Sequence, residues 1–400
     1  MHIQRSQIAN AAVFPIITKF LLVLMLFYEG WYLQKFAAIS GLLQILALTI
    51  VGTTIFLLIP NLASGKNKLI VYWGLFGVFC VFSSKIVAAD FSVALNSLIT
   101  YFAFIAMVYC ADVVSRYTND YTWFSTTIVL VCLLSAFCAL FYGVPYRNGA
   151  YYVTTMSAHN NPNHLGAMMS IGTFMLLFPK NKPRPAGWCF RIALSSVFFI
   201  VALETGSRSA LLRELVVIVF FIIVKFKNFK GNFIERISKR LLFLFPLLFI
   251  LIIVLSMING NNIAGSAINR LIEEFNSDSF SGRTDLYDLA WNMYKEHPIF
   301  GIGYNCFAIT SGYDYFTHST YMELLSCTGT IGFLLFLGPI LIATCRSFRA
   351  FKKDNGRSTT LLLLMLVSSL FGIVYYNMVF LMVLYLEISQ MPSKPKYHDK

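Results

Sequence analysis

The sequence predicts an all-α, polytopic integral membrane protein with about 12 transmembrane helices, and three observations carry that expectation. Hydrophobic residues make up 58% of the 400 residues and charged residues only 12%, with a mean hydropathy of +0.69. A soluble domain averages roughly 45–50% apolar and about 25% charged. The apolar residues also gather in long runs, many near the roughly 20 residues a helix needs to cross the hydrocarbon core. Finally, the segments between runs alternate between rich and poor in Lys and Arg, as the positive-inside rule requires. These features exclude a soluble globular enzyme and a disordered chain, which would be poor in hydrophobic residues. The balance of 31 Lys+Arg against 18 Asp+Glu, +13 overall, would suggest nucleic acid in a soluble protein. Here the polar surface is too scarce for that reading.

In chain order the candidate spans are Ala11–Tyr28, Phe36–Ile59, Leu69–Phe82, Phe91–Ala111, Trp123–Tyr142, His164–Phe178, Trp188–Leu203, Ser209–Val224, Leu241–Ile258, His318–Thr344 and the long run Thr359–Ile388. The first lacks a small-residue cleavage site and reads as a retained span, not a signal peptide. The last is long enough for one tilted helix or for two helices turning near Tyr375-Tyr376-Asn377. With the N-terminus inside, 22 of the 31 basic residues fall in inside segments and 8 outside. That count includes the tail residues Lys394, Lys396 and Lys400, which lie inside only if the last run crosses twice. The expectation is therefore 12 spans in a single membrane domain over residues 1–400, with both termini cytoplasmic. The eight cysteines show no CxxC spacing and lie mostly in or beside apolar runs. They read as small buried hydrophobes.

Two outside loops are long, Gly143–Asn163 and Asn259–Thr317. The second, the large loop between spans 9 and 10 (residues 259–317), holds three basic against seven acidic residues and is acidic within a basic chain. Within it Leu286, Leu289, Ala290, Met293 and Tyr294 recur at helical spacing, marking an amphipathic helix from near Thr284 to Pro298. Its apolar stripe could lie on the membrane surface or cover the spans.

Three segments share the outer face under this topology: Thr205-Gly206-Ser207-Arg208-Ser209, Ser281-Gly282-Arg283 and Thr317-His318-Ser319-Thr320-Tyr321. An arginine at a membrane mouth is costly unless paired or functional. Guanidinium groups grip phosphate through two parallel bonds. A histidine titrates near neutral pH and can take a proton from a hydroxyl. Together they suggest an anionic ligand with acid–base chemistry beside it. Taken singly, each has a plainer reading. Arg208 could snorkel at the interface, Arg283 could pair with Asp285 or Glu273, and His318 could simply start a helix. His159 and His164 flank an Asn/Pro turn, not a metal site, and Arg213-Glu214 reads as a polar contact between helices. Tyr304, Phe307, Tyr313, Tyr315 and Phe316 could stack on sugars or anchor the loop at the interface.

The order of these motifs resembles the O-antigen ligase/polymerase family of bacterial envelope proteins. The resemblance rests on Thr205-Gly206-Ser207-Arg208, Ser281-Gly282-Arg283, His297-Pro298-Ile299-Phe300-Gly301-Ile302-Gly303-Tyr304, and His318-Ser319-Thr320-Tyr321-Met322-Glu323 with Gly329 and Gly332. Asn161-Pro162-Asn163-His164-Leu165-Gly166 is also similar to that family's loop before the sixth span. The resemblance covers about Arg147 to Ile388. It implies a GT-C-like membrane glycosyltransferase. Such an enzyme takes glycan from an undecaprenyl-diphosphate carrier at the outer face of the bacterial cytoplasmic (inner) membrane. It passes the glycan to a saccharide acceptor, either lipid A–core (ligase) or the next lipid-linked repeat unit (polymerase). By the same match Arg208 and Arg283, with Arg147 assisting, bind the carrier diphosphate, and His318 is the base that activates the acceptor hydroxyl. Ser319 stands where many relatives have Asn, and His-Ser-Thr-Tyr-Met-Glu leans toward the polymerases.

No DxD-type carboxylate pair sits at this face, so the expected transfer is metal-independent and needs no cofactor. Expected partners are the lipid-linked glycan, its acceptor, membrane lipid and a chain-length regulator. The competing class is a transporter or flippase for polysaccharide or lipid-linked oligosaccharide. Such a protein should carry polar residues through the middle of the bilayer, where this sequence is nearly free of charge.

Overall fold

The computed structural model describes residues 16–27, 68–146, 150–153, 162–181, 183–205, 207–226, 283–313, 315–375 and 377–391. Its helices are α1 (Ile16–Phe27), α2 (Lys68–Val87), α3 (Phe91–Tyr117), α4 (Thr122–Tyr142), α5 (Pro162–Leu177), α6 (Pro185–Glu204), α7 (Arg208–Phe226), α8 (Arg283–Glu296), α9 (Phe307–Ser311), α10 (Thr320–Ala350), α11 (Arg357–Leu370) and α12 (Met378–Ser389). Between α4 and α5 lies an antiparallel hairpin of β1 (Gly143–Tyr146) and β2 (Ala150–Val153), pairing Gly143 with Val153 and Tyr146 with Ala150. This hairpin is the one departure from the all-α expectation among the described residues. The spans expected at Phe36–Ile59 and Leu241–Ile258 lie outside those residues, as does most of the loop before Arg283.

Among the described residues five helices are long and apolar enough to cross a membrane: α2, α3, α4, α6 and α10. On α2 the side chains Val71, Leu75, Val78 and Phe82 are exposed, an apolar outer surface of the kind that suits lipid. The inner stripe of α2 packs Trp73 and Phe76 on Tyr101 of α3, Phe336 of α10 and Tyr385 of α12. This is a polytopic membrane protein.

Helix starts follow local chemistry. The Asp90 carboxylate accepts from Ser92 N at 2.8 Å and Val93 N at 3.4 Å, capping α3. Proline opens α5 and α6, where its missing N–H costs nothing. The Asn377 side chain accepts from Phe380 N at 3.1 Å and caps α12.

The last apolar run is two antiparallel helices, as the charge pattern required. Arg357, which opens α11, donates to Glu387 in the last turn of α12 at 2.9 and 2.6 Å. The two starts therefore lie at opposite ends of the bundle. Residues 371–375, which follow α11, are not helical, yet backbone groups of Gly372 and Val374 are met. Gly372 O accepts from Thr320 N (3.1 Å) and Thr320 Oγ1 (2.7 Å), and Val374 N donates to Thr320 Oγ1 (2.8 Å). Buried backbone within a membrane protein has to be satisfied in this way.

A second interruption was not expected. Inside α10, Gly329 takes φ 63°, ψ −170° and breaks the helix. The freed groups pair with the loop after α8: Ile302 N donates to Ser326 O (2.9 Å), Gly303 N to Cys327 O (3.0 Å), and Thr330 N to Pro298 O (2.8 Å). A side chain at Gly329 would sit 2.3 Å from Ile299 O, and one at Gly301 2.4 Å from the Cys327 carbonyl carbon. The glycines of the His297–Tyr304 motif and of α10 are thus two halves of one contact. Helix α8 begins and ends within two residues of its expected bounds. Its Leu286, Ala290 and Met293 are buried on α10 and the loop, against Ile302, Phe307 and Cys327. The stripe covers the bundle; it does not lie against lipid.

Candidate functional site at the loop end of the bundle

One end of the bundle gathers the starts of α5, α7, α8 and α10 and the α11–α12 turn; we call it the loop end. At the start of α7, Thr205 Oγ1 accepts from Ser207 N at 3.2 Å and Ser207 Oγ accepts from Ala210 N at 3.3 Å. The Ser207 and Ser209 hydroxyls lie 2.9 Å apart and both donate to Asn163 Oδ1 in the first turn of α5. Gly166 permits this closeness, because a Cβ there would stand 2.2 Å from Ala210 Cβ. His164, one residue on, has its Nε2 3.1 Å from Asn377 Nδ2. Arg208, the first residue of α7, is partly exposed at this rim.

His318 precedes α10, which starts at Thr320 and not at His318. It is partly exposed and takes φ 58°, a left-handed backbone that is uncommon without glycine. Its neighbours hold it there. Thr317 Oγ1 donates to Ser319 O (2.9 Å) and accepts from Ser319 N (3.3 Å). Thr317 N donates to the buried Glu323 carboxylate at 2.8 Å. Thr320 is tied to Gly372. The imidazole tilts against Phe316, centroids 4.6 Å apart. Burial, reinforced by the positive charge of Arg283, pushes the His318 pKa down to about 4. The ring is therefore neutral at neutral pH and has a lone pair free to accept a proton.

Arg283 opens α8 and lies within Coulombic reach of both His318 and Arg213. Arg213 is buried in the second turn of α7 and donates through Nη1 to Asn163 O and Ser209 Oγ, both at 3.2 Å. Its neighbour Glu214 is buried too and accepts from Thr173 Oγ1 at 3.1 Å. The expectation of a polar contact between helices therefore holds, both residues bonding from α7 to α5.

Of the residues singled out in the sequence, His318 and Arg283 lie within Coulombic reach of each other, and Arg208 shares the rim of this end. Arg147, Gly206, Ser281 and Gly282 lie outside the described residues. The five aromatic residues divide. Tyr304 and Phe307 are fully buried, Tyr304 edge-on to Phe76, Tyr101 and Tyr375, while Tyr313, Tyr315 and Phe316 are exposed. Sequence reading gave no role to Asn163, Asn377 or Glu323, since each gains its place only from a distant partner. Among the described residues no group of three or more His, Cys, Asp or Glu side chains could hold a metal ion. Six of the eight cysteines are buried as expected, and Cys189 and Cys345 are exposed.

A scan against protein families matches residues 193–337 to the family described as O-antigen ligase. That stretch runs from within α6 to within α10 and holds Arg208, Arg213, Arg283 and His318; Arg147 precedes it. It also contains both halves of the glycine contact, so the matched stretch encloses the break in α10 and the loop plugged into it. No curated protein matches the chain.

Proposed function

We propose that the protein is a glycosyltransferase of the inner membrane, one membrane domain of 12 spans with both termini cytoplasmic and the loop at residues 259–317 outside. On this reading the loop end faces outward. It joins glycan from undecaprenyl diphosphate to a saccharide hydroxyl, on a repeat unit or on lipid A–core. The observation that carries the reading is the pairing of a base held neutral, His318, with Arg283 beside it, inside a matched O-antigen ligase domain.

In the reaction the acceptor oxygen attacks the anomeric carbon while the bond from that carbon to the carrier phosphate breaks. The bonding pair leaves onto the diphosphate, and His318 takes the acceptor proton. Arg283 and Arg208, with Arg147, stabilise the charge that builds on the leaving phosphate, the kind of preplaced electrostatic help that often dominates catalysis. A chain-length regulator is a further partner on the polymerase branch. The reading is tested by supplying purified protein with polyprenyl-diphosphate-linked glycan. Longer or transferred glycan with equimolar release of polyprenyl diphosphate supports it. Movement of intact lipid-linked glycan across the bilayer without bond formation overturns it in favour of a flippase.

A further inference from the structure

Arg213 is a buried cation with no counter-ion among the described residues. Its exposure is 2%. Charges in such places are normally paired with carboxylates, because desolvating an unpaired ion is costly. Among the described residues the partners of Arg213 are neutral, the Asn163 carbonyl and the Ser209 hydroxyl, and both bind Nη1. Nε is buried with no hydrogen-bond partner. The adjacent Glu214 does not supply the missing charge; its bond goes to Thr173 on α5. The charge that bears on Arg213 is another cation, Arg283.

The geometry is specific as well as unbalanced. With Nη1 occupied, the edge left over is Nε with Nη2, which presents two parallel N–H groups, the arrangement that grips phosphate. Nη2 faces the α11–α12 turn, where a Cβ built on Gly372 would lie 3.9 Å away. Gly372 also holds Thr320, two residues from His318. The Ser207 and Ser209 hydroxyls and the first turn of α7, whose N–H groups favour anions, lie on the other side of the guanidinium.

We propose that Arg213 is the deep cation of an anion-binding site between α5, α7 and the α11–α12 turn, and that the anion is a phosphate of a polyprenyl diphosphate. The residue takes its place beside Arg283, below the rim where Arg208 sits. The assignment of the ligand rests on the glycosyl-transfer reading above; the existence of the site does not. An unpaired buried arginine is also a stability defect that ligand relieves, so its removal should cost binding and not folding.

The test uses the full-length protein in detergent, with thermal unfolding followed as inorganic pyrophosphate, farnesyl diphosphate or phosphatidylglycerol is added. Both diphosphates should raise the wild-type Tm. Arg213→Met should unfold at or above the wild-type Tm without ligand and bind pyrophosphate at least tenfold more weakly. Arg213→Lys keeps the charge but not the fork, and should bind several-fold more weakly. Lower Tm in Arg213→Met with pyrophosphate affinity unchanged would make the residue a helix tie and overturn the site. Should Arg213→Met fail to accumulate, full affinity in Arg213→Lys overturns it equally. A Tm response to phosphatidylglycerol alone makes the anion a bilayer headgroup and overturns the diphosphate assignment. Loss of pyrophosphate binding in Arg213→Met, in a protein that forms no glycosidic bond when wild type, keeps the site and sinks the transferase reading. Glycosyl transfer with pyrophosphate binding indifferent to position 213 does the reverse.

Discussion

His318 is where sequence and geometry meet most closely. Its backbone is left-handed, a conformation that costs a non-glycine residue of the order of 1–3 kcal/mol, and it is paid for by ties on both sides, Thr317 to Glu323 and Thr320 to Gly372. As general base it should contribute about 10²–10⁴-fold to the rate. His318→Ala should thus lower turnover by that factor while the protein still accumulates in the membrane, read by quantifying glycan against protein in a complemented deletion strain. The pH profile gives a sharper check. A base with a pKa near 4 stays unprotonated far below the usual histidine value, so activity should hold as pH falls to about 5 and decline only below that. Replacing Arg283 by Gln removes a nearby positive charge, makes the imidazolium less unfavourable, and should move that acid limb upward. An acid limb near 6.5 in the wild type would contradict the burial seen here. Arg283→Lys should already lose at least about tenfold in kcat/KM, because a point charge cannot replace a fork. At this scale the sequence named His318, Arg208 and Arg283 from residue type and order. Arg213 was read as a helix contact, and so it is. Its missing counter-ion could not be seen until α5 and the α11–α12 turn were in place around it.

Among the elements, the broken helix α10 and the loop inserted at its break matter most. Continuous apolar character made His318–Thr344 read as one span, since hydropathy does not register a reversal of one glycine's dihedrals. The clue was present in Gly301, Gly303 and Gly329, whose need becomes clear only when two backbones approach too closely for a Cβ. Gly329→Ala should therefore cost about 1–3 kcal/mol from strain alone, with the clash at Ile299 added. It should also free the His297–Tyr304 loop, seen as a lower Tm and faster proteolysis between α8 and α9. The hairpin was equally hidden: four-residue strands beside an apolar run carry too little alternation to register. Helix α8 was legible almost to the residue, because its 3.6-residue stripe and Pro298 mark it locally.

At the level of the molecule, the end opposite the loop is closed by ion pairs that fix the α11–α12 hairpin. Arg357 and Glu387 are both buried, Lys180 lies 3.4 Å from the same carboxylate, and Arg116 with Tyr385 holds Asp112. Removing Arg357 leaves the buried Glu387 with the partly exposed Lys180 as its cation, so Arg357→Ala should lose on the order of 3 kcal/mol or less, whereas Arg357→Met with Glu387→Met should recover part of it; thermal unfolding in detergent distinguishes the two. The apolar helical class and the division of the last run into two helices were legible in composition and in the basic tail, because membrane insertion obeys simple rules of apolar length and charge. What the bundle does was legible only through the order of its motifs. The most direct test is glycosyl transfer in liposomes holding purified protein and polyprenyl-diphosphate-linked glycan. The expected result is new glycosidic linkages with one polyprenyl diphosphate released for each, abolished by His318→Ala. Equal linkage formation by wild type and His318→Ala, or passage of intact lipid-linked glycan with no linkage formed, would contradict it.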